Sequence, residues 1–291
     1  YKRQIGNVPQ TEVSARPVKF RFPLQSQDTL SIIEYFYAIC NVSGWFFKSR
    51  KRKYYLLHKF KRLILYIFVH SYEKGMVVMA TIALFSGQGS QYEKMGLDLV
   101  QQDAALEEIF EVASEVLGFD LYAVIADSDA QTLAHTIYAQ PAIMATSLVC
   151  LEAAKKRGFT YDAVAGHSLG EYAAMVAAGM LSLEDGFKVI KARSEAMDAA
   201  AKAADGAMCA ILKLAPAEVE RICSETEGYV IPANYNSSVQ TVIAGDRDAV
   251  EKAAAACAAL KARAVPLAVA SAFHTKLMQP AADTFYKAIQ D

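Results

Sequence analysis

Residues Gly166-His167-Ser168-Leu169-Gly170 hold the strongest chemical signal in this 291-residue chain. They follow the apolar run Ala163-Val164-Ala165 and precede a small-residue stretch at 171–178. A strand that turns sharply into a helix needs glycine on both sides of the turn, because a Cβ there would collide with neighbouring backbone. The serine between them is then left exposed with its Oγ free. The helix N-terminus behind it offers backbone N–H groups to developing negative charge. Ser168 is therefore a candidate nucleophile; the plainer reading is an ordinary Gly/Ser turn. His274 lies 106 residues further on, at the end of the apolar run 269–273. Single histidines are more often structural, yet one delivered by a strand downstream of such an elbow is a candidate general base.

These groups need elements to carry them. Thr81-Ile82-Ala83-Leu84-Phe85 reads as a strand running into the loop Ser86-Gly87-Gln88-Gly89-Ser90-Gln91. A dinucleotide fingerprint needs a third glycine opening a helix, and position 92 is Tyr; no Lys-Ser/Thr follows either, which disfavours a phosphate-binding loop. The loop instead lets backbone approach a ligand closely. Between serine and histidine, the pattern predicts a strand at 208–214, a helix opened by Pro216, a strand ending near Asn236, and a strand at 241–244. A helix from Asp246 to about Leu260 and a strand at 265–269 follow. That order, βαββαβ, is the ferredoxin-like signature. Residues 79–207 alternate strand and amphipathic helix, which predicts a mostly parallel sheet covered by helices, with Ser182 and Asp185 opening the helix that carries Arg193. The predicted fold class is thus α/β. A large subdomain over 79–207 and 270–291 carries the elbow, a ferredoxin-like subdomain over 208–269 is inserted in it, and the cleft lies between the two.

Five segments, Gly87-Gln88-Gly89-Ser90-Gln91, Gly166 to Tyr172, Arg193 with Met197, Ala233-Asn234-Tyr235-Asn236-Ser237 and Phe273-His274, stand in one order and spacing. In this the chain resembles the malonyl-CoA:acyl-carrier-protein transacylases of bacterial fatty-acid synthesis, over residues 79–291. The resemblance implies Ser168 as the acylated nucleophile, His274 as its base, and the backbone N–H groups of Gln88 and Leu169 as an oxyanion hole. It implies Arg193 as the binder of the free malonyl carboxylate, and a guanidinium's planar fork suits that role; a solvated arginine on a helix is the plain alternative. Asn234 and Asn236 would line the cleft or serve as left-handed turn residues. Ala272-Phe273 resembles malonyl-selective members and argues against a methylmalonyl substrate. Lys261 and Arg263 would meet CoA phosphates or the acidic carrier protein, or are plain surface charge. The implied partners are malonyl-CoA and acyl carrier protein, whose phosphopantetheine thiol takes the acyl group. Neither nucleic acid nor membrane is expected, and the implied enzyme is a cytoplasmic monomer without metal or redox cofactor. Two departures stand out: Ser86 replaces a usual proline, and Ser238-Val239 replaces a frequent Pro-Gly.

Composition agrees with an intracellular globular enzyme, being 54% apolar. The five cysteines have no metal-ligand or disulfide spacing. The net charge of −1 hides a division, because residues 1–78 hold 14 Lys/Arg against 4 Asp/Glu and residues 79–291 hold 16 against 27. The basic run Lys48-Ser49-Arg50-Lys51-Arg52-Lys53 and the broken apolar stretch after it are too short to span a bilayer. Because the chain starts at Tyr1 and the enzyme-like part at Met79, residues 1–78 are expected to be translated upstream sequence or disordered. Only 17 residues follow His274, where the resemblance implies several tens more, including a backbone carbonyl that orients the histidine. The chain is accordingly expected to be truncated, with an aggregation-prone strand edge. A thioesterase-type serine hydrolase, an acyltransferase module of a polyketide synthase and a non-catalytic fragment share the motifs and remain alternatives.

Overall fold

The computed structural model describes residues 64–73 and 76–290; the basic cluster at 48–53 and Cys40 lie outside them. Strands β1 (Ile64–Glu73) and β2 (Met76–Phe85) pair antiparallel, from Ile64 opposite Phe85 to Glu73 opposite Met76. Regular backbone therefore starts ahead of the boundary at residue 78 that charge suggested. Next come α1 (Leu97–Gln102), α2 (Glu108–Leu117), α3 (Leu121–Asp127), α4 (Ala130–Leu133) and α5 (Thr136–Lys155). Asp120 and Asp129 cap α3 and α4, each side chain accepting a backbone N–H of the first turn. Helix α5 is apolar on every face, as a central core helix must be. Its length and composition would suit a membrane span, yet most of it is packed inside the fold.

Strand β3 (Ala163–Gly166) pairs parallel with β2, giving the order β1-β2-β3. This parallel pairing brings the loop after β2 and the turn after β3 to the same end of the sheet, where ligands of open α/β folds bind. Helices α6 (Gly170–Ala177) and α7 (Leu183–Ala203) follow, α7 being capped by Ser182, whose Oγ accepts the Asp185 N–H at 3.0 Å. The large core gathers Phe85, Phe110, Ile143, Met144, Leu169 and Phe187.

The second sheet is antiparallel, order β5-β6-β4-β7, built from β4 (Gly206–Leu212), α8 (Pro216–Glu225), β5 (Val230–Ser237), β6 (Gln240–Asp246), α9 (Arg247–Ala259) and β7 (Arg263–Pro266). This is the βαββαβ order, with its own core around Ile211, Val219, Ile243 and Cys257. A third apolar cluster, with Ala196, Met208, Phe273 and Met278, joins the two parts, and α10 (Gln279–Ala288) packs beside α7.

One expected element ends early. The apolar run to residue 273 reads as strand, but β7 stops at Pro266, which has no N–H to continue a ladder. The Leu267 N–H still bonds Met208 at 3.0 Å, the Val269 N–H then folds back on Leu267 at 2.9 Å, and Ser271, Ala272 and Phe273 turn inward to be buried. His274 sits in the turn that follows.

Candidate active site

Between β3 and α6 the backbone makes the turn that the glycine spacing anticipates. A Cβ on Gly166 would lie 2.1 Å from the Gly170 carbonyl carbon, and one on Gly170 would lie 2.3 Å from the Phe85 oxygen. Only glycine fits either position. Ser168, between them, holds a left-handed φ of 54°, a conformation that costs a non-glycine residue energy and persists where surrounding structure enforces it. The His167 N–H donates to Phe85 at 2.9 Å, and the Glu171 N–H donates to the Ser168 oxygen at 3.1 Å, so strand and helix grip the turn from both sides.

His274 reaches this serine from the far side of the cleft, its Nε2 lying 3.1 Å from Ser168 Oγ. It too has a left-handed φ, 60°. Burial lowers its pKa first, with the Arg193 charge and His167 adding to the effect. These effects favour the neutral ring, the state a proton acceptor needs. Among the described residues Ser168 is its only hydrogen-bonding side chain.

Arg193, on α7, donates from Nη2 to Ser168 Oγ at 3.1 Å and from Nη1 to Gln140 Oε1 at 2.6 Å, and its guanidinium lies 5.5 Å from the centre of the Tyr172 ring. No carboxylate among the described residues forms an ion pair with it. Burial pushes its pKa down. Glu171 acts on it at longer range, so the site holds a desolvated cation without a direct ion-pair partner, next to a nucleophile.

The loop after β2 closes another side. Gly87 packs so tightly on the elbow that a Cβ there would meet His167 Nδ1 and O at 2.6 Å each. The backbone N–H groups of Gln88 and Leu169 make no hydrogen bond within the described residues. Free donors at this place suit a developing oxyanion. The Gln88 side chain bonds Thr136 Oγ1 at 3.4 Å. Ser86, standing where proline is usual, is buried and accepts from Ser90 Oγ at 3.1 Å, so a side-chain bond ties the loop where a ring would.

From the small subdomain, Asn236 is the extra residue of a β-bulge in β5, 2% exposed, and its side chain hydrogen-bonds the His167 ring while Nδ2 has no partner. Bulges re-aim side chains in this way. Asn234 pairs with Val242 in β5. Neither asparagine is left-handed, so the turn reading gives way to a strand. Phe273 is buried in the junction cluster beside the histidine turn. Lys261 and Arg263 are exposed and stand apart, Arg263 opening β7 at the opposite edge of the sheet from β5; no hydrogen bond or ion pair links either to Ser168, His274 or Arg193.

Gln140, Thr136 and Tyr172 enter the site without having been singled out. The signal for Gln140 was present: an amide inside the apolar helix stretch 137–145 must have a partner. The cysteines of the described residues are poor rivals as nucleophiles, since burial pushes the Cys150 and Cys223 thiols up to about 12, Cys209 up to about 11, and raises Cys257 as well. Among the described residues no cluster of His, Cys, Asp or Glu could hold a metal ion.

Elbow, facing histidine and free backbone donors define an α/β protein built for nucleophilic acyl chemistry. Residues 83–291 match the acyl transferase domain family, and the chain belongs to that family. It is 42% identical over 210 residues to the malonyl CoA-acyl carrier protein transacylase of Bacillus subtilis, covering 70% of this chain and 66% of that one. The chain thus spans just under two thirds of that curated relative's length. An acyl carrier protein S-malonyltransferase from Vibrio cholerae superposes with a TM-score of 0.65 at 41% identity, covering 71% of this chain and 68% of its own. A malonyl-transacylase solved in complex with a type II polyketide acyl-carrier protein gives 0.66 at 39% identity, covering 70% and 67%.

Proposed function

We propose that the chain transfers a malonyl group from malonyl-CoA to the phosphopantetheine thiol of acyl carrier protein, in fatty-acid biosynthesis, through a malonyl ester on Ser168. Ser168 Oγ attacks the thioester carbonyl while His274 Nε2 takes its proton. The oxyanion accepts the Gln88 and Leu169 N–H groups. The C–S bond then breaks, and CoA leaves as its thiol with the proton from His274. In the second half the carrier thiol gives its proton to His274 and attacks the ester, and Ser168 regains a proton as its C–O bond breaks. Throughout, Arg193 holds the malonyl carboxylate. Asn236 steadies the elbow through His167, Asn234 and Phe273 shape the cleft wall, and Lys261 and Arg263 offer positive charge to CoA or carrier protein. No metal or redox cofactor has a step to perform, and the setting is the cytoplasm, with the chain acting as a monomer.

The observation that carries this reading is the convergence on one hydroxyl: His274 Nε2 and Arg193 Nη2 each lie 3.1 Å from Ser168 Oγ. A serine hydrolase needs the first contact and has no use for the second. The names of the relatives point the same way. Incubating the chain with labelled malonyl-CoA and weighing the intact protein tests it. A malonyl adduct lost in Ser168→Ala and discharged by holo-carrier protein is the expected result. Rapid release of free malonate would make the chain a hydrolase, and no adduct would make it a non-catalytic fragment.

A further inference from the structure

Gln140 takes no part in the steps above, yet it is fully buried on α5 and meets the guanidinium at 2.6 Å, closer than the 3.1 Å between Arg193 and Ser168 Oγ. Its orientation is forced. An arginine only donates, so the amide oxygen must face Arg193, and the amide nitrogen must look elsewhere. Nε2 finds Met197 Sδ at 3.4 Å, a weak acceptor one helical turn beyond Arg193 on α7. Both ends of the amide are thus engaged by one face of α7.

A carboxylate at this position would make a stronger bond to the arginine. It would also cancel the charge. A buried Glu–Arg pair is satisfied internally, and an incoming carboxylate would have to displace one member of a desolvated ion pair. An amide fixes the guanidinium's position and leaves its positive charge unneutralised. Its Nη2 rests on the neutral Ser168 hydroxyl, with the neutral Tyr172 phenol beside the guanidinium, contacts that an anionic acceptor outcompetes.

We propose that Gln140 is a positioning residue for acyl selectivity: it aims the Arg193 guanidinium at the free carboxylate of the acyl group without itself neutralising that charge. This rests on the malonyl reading above and adds to it the reason for a neutral acceptor. The consequence is specific. Exchanging the amide for a carboxylate should cost affinity for acyl groups that carry a carboxylate and spare those that do not.

The test measures malonyl-CoA and acetyl-CoA affinities by calorimetry in the full 291-residue chain carrying Ser168→Ala, so that no acyl transfer occurs. Gln140→Glu should weaken malonyl-CoA binding about 10- to 100-fold and change acetyl-CoA binding by less than about threefold. Gln140→Leu, which cannot form a competing ion pair, guards against a folding defect; it should weaken malonyl-CoA by a smaller factor, about three- to tenfold, again sparing acetyl-CoA. Arg193→Ala is the control. Should Arg193→Ala lower malonyl-CoA affinity selectively while Gln140→Glu does not, the role of Gln140 is overturned and the malonyl reading stands. Equal losses for both ligands in the Gln140 variants would make the residue a structural one and overturn the proposal. An Arg193→Ala ratio unchanged from the parent would remove the malonyl reading itself.

Discussion

The serine and histidine sides of the cleft are held by different means. On the serine side, side chains are excluded: Gly166 and Gly170 stand where no Cβ fits, and Leu169, the residue after Ser168, is locked in the large core. On the histidine side, side chains do the holding. His274 sits in a turn, with Thr275 Oγ1 donating to the Ala272 oxygen at 2.7 Å and the Lys276 N–H donating to the Tyr229 hydroxyl at 3.2 Å. Backbone packed on backbone has nowhere to relax, whereas a turn tied by a few hydrogen bonds can lose one and keep the rest. The nucleophile's geometry should therefore fail abruptly and the base's geometry by degrees.

Gly166→Ala is the sharpest way to break that contrast. Its Cβ would lie 2.1 Å from the Gly170 carbonyl carbon and 2.2 Å from the Glu171 nitrogen, both backbone atoms, so the elbow must open. A misplacement of about 1 Å at a reacting group costs on the order of 100-fold. Ser168 acylation, followed by intact mass against time, should fall by at least that factor. Acylation within threefold of the parent would mean that the elbow tolerates side chains and that the contrast is false.

A pH profile separates the two sides by shape. His274 must be neutral to accept the proton, and its pKa lies below the ordinary imidazole value because of burial, then Arg193, then His167. The acid limb of acylation should accordingly fall below that ordinary value. Removing the Arg193 charge stabilises the imidazolium, raises the pKa and moves the limb to higher pH. His167 faces the same ring; burial holds its own pKa down, and Asn236 and Glu171 oppose that effect. Gly166→Ala changes none of these charges, so it should lower the plateau and leave the limb in place. A limb that moves in Gly166→Ala and stays fixed in Arg193→Ala would reverse the assignment.

The same contrast governs what could be read in advance. The elbow was legible because its glycine requirement is local, set by residues within five positions of one another. The order of elements in the small subdomain was legible from periodicity, and so the α/β class with its two parts follows from sequence. His274 was legible as a residue but its turn was not, since an apolar run to residue 273 looks like strand until Pro266 ends the ladder and the cluster around Met208 draws Phe273 inward. The bulge that aims Asn236 depends on the register of β6, which no reading along β5 alone reveals. Gln140 gains its meaning only from Arg193, 53 residues away on another helix. Lys261 and Arg263 were legible as charge, but their place, with Arg263 opening the edge strand β7 opposite β5, depends on the order of the sheet.

The smallest expected effect lies in the tie that holds the histidine turn. Tyr229 offers Lys276 two contacts, its hydroxyl accepting the backbone N–H at 3.2 Å and its ring lying 3.9 Å from the ammonium. Tyr229→Phe removes the first and keeps the second. The bond is exposed, so water replaces the lost acceptor, and the net cost belongs at the low end of the roughly 0.5–1.5 kcal/mol of an intramolecular hydrogen bond. At about 1.4 kcal/mol per decade, acylation should slow by no more than about tenfold. The acid limb should stay in place, because no charge near His274 changes. Tyr229→Ala also removes the ring contact, worth about 0.5–1 kcal/mol at an exposed site, and should slow acylation further while leaving the limb where it was. Graded losses across Phe and Ala, both smaller than that of Gly166→Ala, are what a turn tied by side chains predicts. A Tyr229→Phe chain as impaired as Gly166→Ala would show that the base is clamped as rigidly as the nucleophile, and the two sides of the cleft would no longer differ.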